Sequence, residues 1–214
     1  MFTGLIHHLG RVESVAASGG VVRLRVRPAA WDGAASAGDS IAVDGVCLTL
    51  AGEPEGGVFA FDAIPETMRM TALGDLKPGD RVHLEASATP TTLLGGHLVQ
   101  GHVDGVADVV SVVSEGEWRV RLRTPSGLEA LMVPKGSVTL AGVSLTIAAV
   151  DADRGAWFEV ALIPTTLEKT KLGEWQPGTR VNVESDVIAR TVAHQVRLML
   201  GGGGLGARLR AGGV

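Results

Sequence analysis

With 214 residues, 45% of them hydrophobic, the chain is long enough for two domains of about 100 residues each. A formal charge of −4 implies neither a nucleic-acid surface nor a surface for anionic membranes, and the longest apolar stretch, around Leu140–Val150, is broken by Gly142, Ser144 and Thr146 and is too short to span a bilayer. A single cysteine excludes an internal disulfide and fits a reducing cytosol, and the six histidines lack the usual metal-ligand spacing.

The opening "MFTGLIHH" has no basic region and no long apolar core, so no secretory signal is expected. "GVVRLRV" (Gly20–Val26) alternates Val22, Leu24 and Val26 against Arg23 and Arg25, the period of a half-buried strand. "GDSIAVDGVCLTL" follows, then a short helix candidate, "IPETMRMTALGDL", with proline near its start and glycine near its end. "DRVHLEA" alternates again after the Pro78-Gly79 turn.

The same order then recurs. "FTGLIHHLGRV" is matched by "VQGHVDGVADV", and "EWRVRLR" (Glu117–Arg123) alternates as Gly20–Val26 does. "KGSVTLAGVSLTI" lies over the first copy at an offset of 97 residues. "IPTTLEKTKLGEW" and "TRVNVES", after Pro177-Gly178, follow at an offset of 99. Chance similarity would not preserve the order of all these blocks. The spacing is too long for a solenoid repeat and suits a duplicated small domain. About six short strands per copy, joined by Gly-rich turns, predict an all-β protein of two closed barrels, spanning 1–96 and 97–186.

"DVIARTVAHQVRLML" breaks the pattern, placing Ile188, Val192, Val196, Met199 and Leu200 on one face of a helix over 187–200 that has no counterpart after copy one. A subunit contact is the favoured partner for that stripe, packing onto its own barrel being the alternative. Residues 201–214, "GGGGLGARLRAGGV", read as a flexible tail.

The repeated heptad carries the functional signal. In "DGVCLTL", Val46, Leu48 and Leu50 share one strand face and Gly45, Cys47 and Thr49 the other; in "AGVSLTI", Val143, Leu145 and Ile147 oppose Gly142, Ser144 and Thr146. Small polar residues beside glycine let a flat ligand reach backbone N–H and C=O groups. A merely solvent-facing strand side would carry Lys, Glu or Arg, and neither copy does. Cys47 invites a nucleophile reading, but its repeat partner is Ser144, and neither has a base nearby in sequence. Two equivalent pockets with slightly different chemistry suggest two similar ligands in different roles.

"MFTGLI", "GVCLT", "GGHLVQGHVDG", "GVSLT" and "NVESDVIAR" resemble, as a set, the riboflavin synthase family, over about residues 1–200. The resemblance implies two similar six-stranded Greek-key β-barrels, a C-terminal trimerisation helix, and no cofactor or metal. It implies a cytoplasmic homotrimer, with lumazine synthase as an associated partner. The implied reaction takes two molecules of 6,7-dimethyl-8-ribityllumazine, one giving a four-carbon unit to the other, and yields riboflavin and 5-amino-6-ribitylaminouracil. The resemblance also implies one lumazine per barrel, the reacting pair meeting where the N-terminal barrel of one subunit faces the C-terminal barrel of another.

Carried over by resemblance, the first barrel's ligand contacts are Gly4, Leu5, Ile6, Cys47, Leu48, Thr49, Asp62, Ala63, Ile64, Pro65, Glu66 and Thr67, with Phe2 near the ring. Those of the second are Gly101, His102, Val103, Lys135, Ser144, Leu145, Thr146, Ala161, Leu162, Ile163, Pro164, Thr165 and Thr166. The functionally sensitive polar positions match Ser40, Cys47, His102, Ser144 and Asp186. The acidic 7-methyl group of the lumazine needs a base or relay, for which His102 is the natural candidate, a hydrogen-bonding barrel histidine being its alternative role. Asp186 would accept a ribityl hydroxyl or steer a proton, or simply begin the helix as its N-terminal carboxylate. Four positions depart from the family pattern. Thr165 stands where an acid or histidine is expected, His7-His8 replaces an acidic pair, and Asp44 stands where asparagine is common. Lumazine-binding antenna proteins share the double barrel without turnover. The intact "GHV", "SLT" and Asp186 of the second copy favour the enzyme.

Overall fold

A computed structural model describes residues 1–151, 153 and 155–200 of the chain. The first copy supplies β1 (His8–Ser18), β2 (Val21–Pro28), β3 (Ser40–Val43), β4 (Val46–Thr49), β5 (Phe59–Ala63) and β6 (Arg81–Ala86). They hydrogen-bond in the order β4-β3-β6-β1-β2-β5, and a Leu50–Phe61 bridge closes the circle. The second copy supplies β7 (Gly105–Val113), β8 (Trp118–Arg123), β9 (Ser137–Leu140), β10 (Val143–Val150), β11 (Trp157–Leu162) and β12 (Arg180–Ser185), closed in the same Greek-key order. Even the irregularity repeats: β1 bulges between Val12 and Ser14, and β7 between Val109 and Ser111, the equivalent residues.

The alternation read from the sequence decides which side chains enter each core. Leu24 and Val26 are buried while Arg23 and Arg25 face out, and Arg23 forms a two-pronged pair with Asp62 across the β2–β5 register. Each helix candidate divides in two. Pro65–Met70 (α1) and Pro164–Lys169 (α2) are single α-helical segments, each followed by a short 3₁₀ turn at Ala72–Asp75 and Leu172–Glu174. The breaks fall at Thr71 and Thr170, whose hydroxyls bond back to the carbonyls of Thr67 and Thr166.

The two barrels meet about a pseudo-twofold axis. The β3–β4 and β9–β10 hairpins turn at Asp44-Gly45 and Ala141-Gly142, all four residues having positive φ. The hairpin tips touch: a Cβ on Gly45 would stand 2.6 Å from the Gly142 nitrogen, and one on Gly142 2.9 Å from the Gly45 nitrogen. Two unlike side chains in equivalent positions bind the tips. The His83 Nδ1–H donates to the Ala141 carbonyl (2.7 Å) while Nε2 accepts from the Lys171 N–H (2.9 Å). Asn182 Nδ2 donates to the Asp44 carbonyl (2.8 Å) while its Oδ1 accepts from the Ala72 N–H (2.6 Å). A neutral imidazole and a carboxamide thus offer the same donor and acceptor. Arg81 pairs with Glu174, and Arg180 with Asp75, as reciprocal surface contacts. Asp44 adds a contact on one side only, accepting from Lys171 Nζ at 2.5 Å and from the His83 N–H at 2.9 Å.

Helix α3 (Val187–Leu200) leaves the end of β12. Asp186 caps it, accepting from the Ile188 N–H at 2.8 Å, and Arg190 ties it down through Asp104 at 2.7 Å. Ala193 packs on the second barrel's core, whereas Ile188, Val192, Val196 and Met199 are 46–61% exposed, so the apolar stripe turns away from its own barrel. The tail expected over 201–214 lies outside the described residues. Among the described residues no helix is long and apolar enough to cross a membrane.

Burial pushes the His83 imidazole down to about 4, with Asp44 opposing the depression and Lys171 deepening it. The unfolded chain binds that proton near the ordinary imidazole value and the folded chain only near 4, so stability falls as pH falls from about 6.5 towards 4. The linked loss is about 2 kcal/mol at pH 5. Asparagine at position 83 would keep both hydrogen bonds, as Asn182 does. His83→Asn is expected to fold and to lose less stability between pH 7 and pH 5 in chemical denaturation; an unchanged pH slope would contradict the clamp.

Candidate active site

Two buried carboxylates, 99 residues apart, place the segments that precede each barrel. Glu85, on β6, accepts from the Thr3 N–H (2.6 Å), the Thr3 hydroxyl (2.7 Å) and the Gly4 N–H (3.1 Å). Glu184, on β12, accepts from the N–H groups of Gln100 (2.7 Å), Gly101 (2.9 Å) and His102 (2.9 Å). Burial pushes both carboxyls up from the ordinary range, and the donated hydrogen bonds pull the other way. The arms lie antiparallel across the pseudo-axis, with Phe2 and Val99 exchanging backbone hydrogen bonds at 2.7 and 3.1 Å.

Each arm then completes the other copy's barrel. The Gly4 carbonyl accepts from the Ser144 N–H at 2.8 Å, and the Gly101 carbonyl accepts from the Cys47 N–H at 2.9 Å. Ile6 is part of the second barrel's core, and Val103 packs against the first's. The approach needs glycine. A Cβ on Gly4 (φ +74°) would stand 2.6 Å from the Ser144 Cβ, and one on Gly101 (φ +77°) 2.6 Å from the Cys47 Cβ. This corrects the grouping expected from the sequence: Gly4, Leu5 and Ile6 line the second barrel's cavity, and Gly101 and Val103 belong with Cys47 of the first. Strand alternation says which face a residue is on, and carries no information on which barrel an arm crosses to.

The second barrel's cavity, about 270 Å³, is lined by Gly4, Leu5, Ile6, His7, Val143, Ser144, Ile163, Thr165, Thr166, Lys169 and Thr170. Its wall offers backbone groups, small hydroxyls and apolar side chains, with His7 and Lys169 as its ionisable groups. Thr165 and Thr166 belong to the first turn of α2, whose start is set by Pro164. Leu145 and Leu162 point into the barrel core, Ala161 is half-buried on β11, and Thr146 is exposed. Lys135 is exposed in a left-handed turn (φ +66°) before β9, outside the cavity lining.

In the first barrel, Cys47 is a half-buried free thiol flanked by the buried Leu48 and the exposed Thr49. Phe2 is 1% exposed and packs with Ala42, Val99 and Cys47. Ser40 is half-buried on β3, opposite Thr49. His102 is exposed, next to Gly101 on the crossing arm. The segment Asp62–Thr67 runs off β5 into α1, with Ala63 buried, Ile64 57% exposed and Pro65 opening the helix. Asp62 and Glu66 are bound by Arg23 and Arg69, and those hydrogen bonds hold both carboxyls below the ordinary range. Ile163, the equivalent of Ile64, is 63% exposed and lines the second barrel's cavity, so each barrel presents an outward isoleucine just before its short helix.

The sequence reading missed His97. Its Nδ1 lies 2.7 Å from the Ser144 Oγ and its Nε2 3.1 Å from the Thr139 Oγ1, so Ser144 does have a base beside it, 47 residues away in the chain. Burial pushes this imidazole below its ordinary value, with the Asp186 carboxylate opposing. Among the described residues no group of three or more His, Cys, Asp or Glu side chains is placed to hold a metal ion.

Comparison with known proteins agrees with the duplicated architecture. The family described as "Lumazine binding domain" matches twice, over residues 3–87 and 100–186. The riboflavin synthase of Mycobacterium tuberculosis (strain ATCC 25618 / H37Rv) is 43% identical over 198 residues, covering 92% of this chain and 98% of that protein. The riboflavin synthase of Chlamydia pneumoniae is 38% identical over 205 residues, covering 95% and 99%. That of Bacillus subtilis (strain 168) is 36% identical over 191 residues, covering 89% and 87%. Among solved structures, LumP complexed with riboflavin superposes with a TM-score of 0.75 at 24% identity, covering 86% of this chain and 99% of that one, which shows the shared fold. Two tandem matches to the lumazine binding domain, and relatives of this similarity over nearly the whole of both chains, place the chain in the riboflavin synthase family.

Proposed function

We propose that the chain is a transferase that converts two molecules of 6,7-dimethyl-8-ribityllumazine into riboflavin and 5-amino-6-ribitylaminouracil. The observation that carries this reading is the retention of two equivalent strand-and-arm frames whose small polar side chains differ, Cys47 against Gly101 in one and Ser144 against Gly4 in the other. A reaction between two identical molecules in different roles calls for that arrangement, and a carrier holding one ligand would need only one intact pocket.

Each barrel binds one lumazine. The heterocycle lies against the heptad strand and the glycine of the crossing arm, where Gly4 with Ser144, and Gly101 with Cys47, leave room for a flat ring. The ribityl chain runs towards the start of α1 or α2, past Asp62, Glu66 and Thr67 in one barrel and Thr165 and Thr166 in the other. Ser40, His102 and Asp186 supply hydrogen bonds and proton transfer around the rings. Much of the acceleration comes from holding the two rings face to face in register.

The two rings come from different subunits. The exposed rims at Ile64 and Ile163 and the outward stripe of α3 support a cytosolic homotrimer in which the helix joins the subunits, since burying such side chains contributes roughly 1.5–3 kcal/mol each.

The reading is tested by incubating chelator-treated protein with the lumazine alone and following flavin absorbance; tight binding without product would instead mark a lumazine carrier. Truncation after Val187 is expected to give monomers that bind lumazine but lose nearly all turnover, read by light scattering and the same assay. Gly4→Ala and Gly101→Ala are each expected to remove one of two lumazine-binding equivalents per chain in calorimetric titration. A variant that loses both, or neither, contradicts the exchanged arms.

A further inference from the structure

The two heptads follow one pattern but differ in the hydrogen-bond partner of their central side chain. In the second, the Ser144 Oγ and His97 Nδ1 are 2.7 Å apart, and Thr139, 1% exposed on β9, holds the opposite ring nitrogen at 3.1 Å. The His97 backbone N–H donates to the Thr3 carbonyl at 3.2 Å, so the crossing arm and the imidazole are positioned together. Ser144 lines the cavity from the heptad strand, and His97 stands behind it. Among the described residues Cys47 has no histidine hydrogen-bonded to its sulfur.

We propose that Ser144 and His97 are the proton-removing pair of the reaction, so that the lumazine in the second barrel is the one that becomes the carbon nucleophile. The inference rests on the reaction proposed above and assigns its two roles to particular barrels. In the step, a C–H bond of the 7-methyl group breaks and its electron pair spreads into the pteridine ring. The proton passes to the Ser144 oxygen as the Ser144 hydroxyl proton passes to His97 Nδ1. His97 is left as an imidazolium, holding the proton that the departing aminouracil takes up later in the cycle. No oxidant, reductant or further reactant is required.

Ser144 touches the substrate in this scheme and His97 acts through it. Thr139 fixes the ring so that Nδ1 faces the serine. Burial favours the neutral form of His97 before the step, and Asp186, at the start of α3, opposes that shift and favours the charged form after it. From β9 and β10 the facing groups, Thr139 and Ser144, are uncharged.

The test uses the full chain with Ser144→Ala, His97→Gln and the double variant. Turnover, KM, the pH profile of kcat, and deuterium uptake into the 7-methyl group in heavy water are measured. Each single variant is expected to lower kcat by about 30-fold or more, within the usual reach of general-base catalysis, while KM changes by less than about threefold. Deuterium uptake should fall in parallel, His97→Gln should remove the acid limb of the kcat profile, and the double variant should be no slower than the slower single. A kcat within about threefold of the parent in either variant, a rise in KM with kcat kept, or an acid limb that survives His97→Gln overturns the proposal. If His97→Gln fails to fold by circular dichroism, Ser144→Ala decides by kcat and deuterium uptake. If the parent protein makes no flavin, the reaction itself is misassigned; Ser144-dependent deuterium uptake would still separate that failure from failure of the pair.

Discussion

A carboxylate removed from water must be saturated with hydrogen-bond donors, and this chain uses that demand twice to hold its two arms in place. Glu85 and Glu184 are 4% and 2% exposed, and all their protein partners come from the residues just before a barrel. Breaking either set would leave a buried charge and several backbone N–H groups without partners. The arms are therefore fixed, and with them the carbonyls of Gly4 and Gly101, the buried Phe2–Val99 bridge, and the pocket wall each arm gives to the other barrel. The sites are assembled around the pseudo-axis rather than inside either barrel alone.

Duplication supplied symmetry, and later substitutions modified it unevenly. The frame has stayed symmetric: the bulges, the hairpin tips, the carboxylates and the Arg81–Glu174 and Arg180–Asp75 pairs all recur. The chemistry has not. Cys47 faces Ser144 across the repeat, and Met70 faces Lys169. His83 does the work of Asn182, and Asp44 with Lys171 forms an ion pair where Ala141 and Ala72 form none. Under the proposed function, equal frames would hold equal ligands, and the unequal side chains would treat the same ligand differently in each.

Much of this was legible in the sequence because periodicity and repetition survive without coordinates. The alternation of Val46, Leu48 and Leu50 against Cys47 and Thr49 is the burial pattern of β4, and the repeat predicts the same for Val143–Ile147. The apolar stripe of α3 was equally plain, because a period near 3.6 residues has no other common cause. What stayed hidden were contacts that no local pattern encodes. Leu5 and Ile6 crossing to the second barrel, and His97 reaching Ser144, are long-range pairings set by how the copies dock. His83 was hidden for another reason: by residue type it differs from Asn182, and only the shared donor–acceptor geometry makes them equivalent. Lys135 shows the reverse case, a position carried over by resemblance whose side chain stands on an exposed turn away from the cavity lining.

The crossing of the arms also limits how the chain can be divided. Cut between the copies, each half would retain a barrel, a carboxylate and an arm, but its pocket would lack the wall that the missing half provides. A one-copy protein of this design could complete itself only by lending its arm to a second molecule and borrowing that molecule's arm in return, a reciprocal swap with twofold symmetry. The present chain joins those two molecules by a covalent tether. Tethering removes the concentration dependence of such a pairing and frees each half to mutate without imposing the same change on the other, the condition under which one half can carry a thiol where the other carries a hydroxyl.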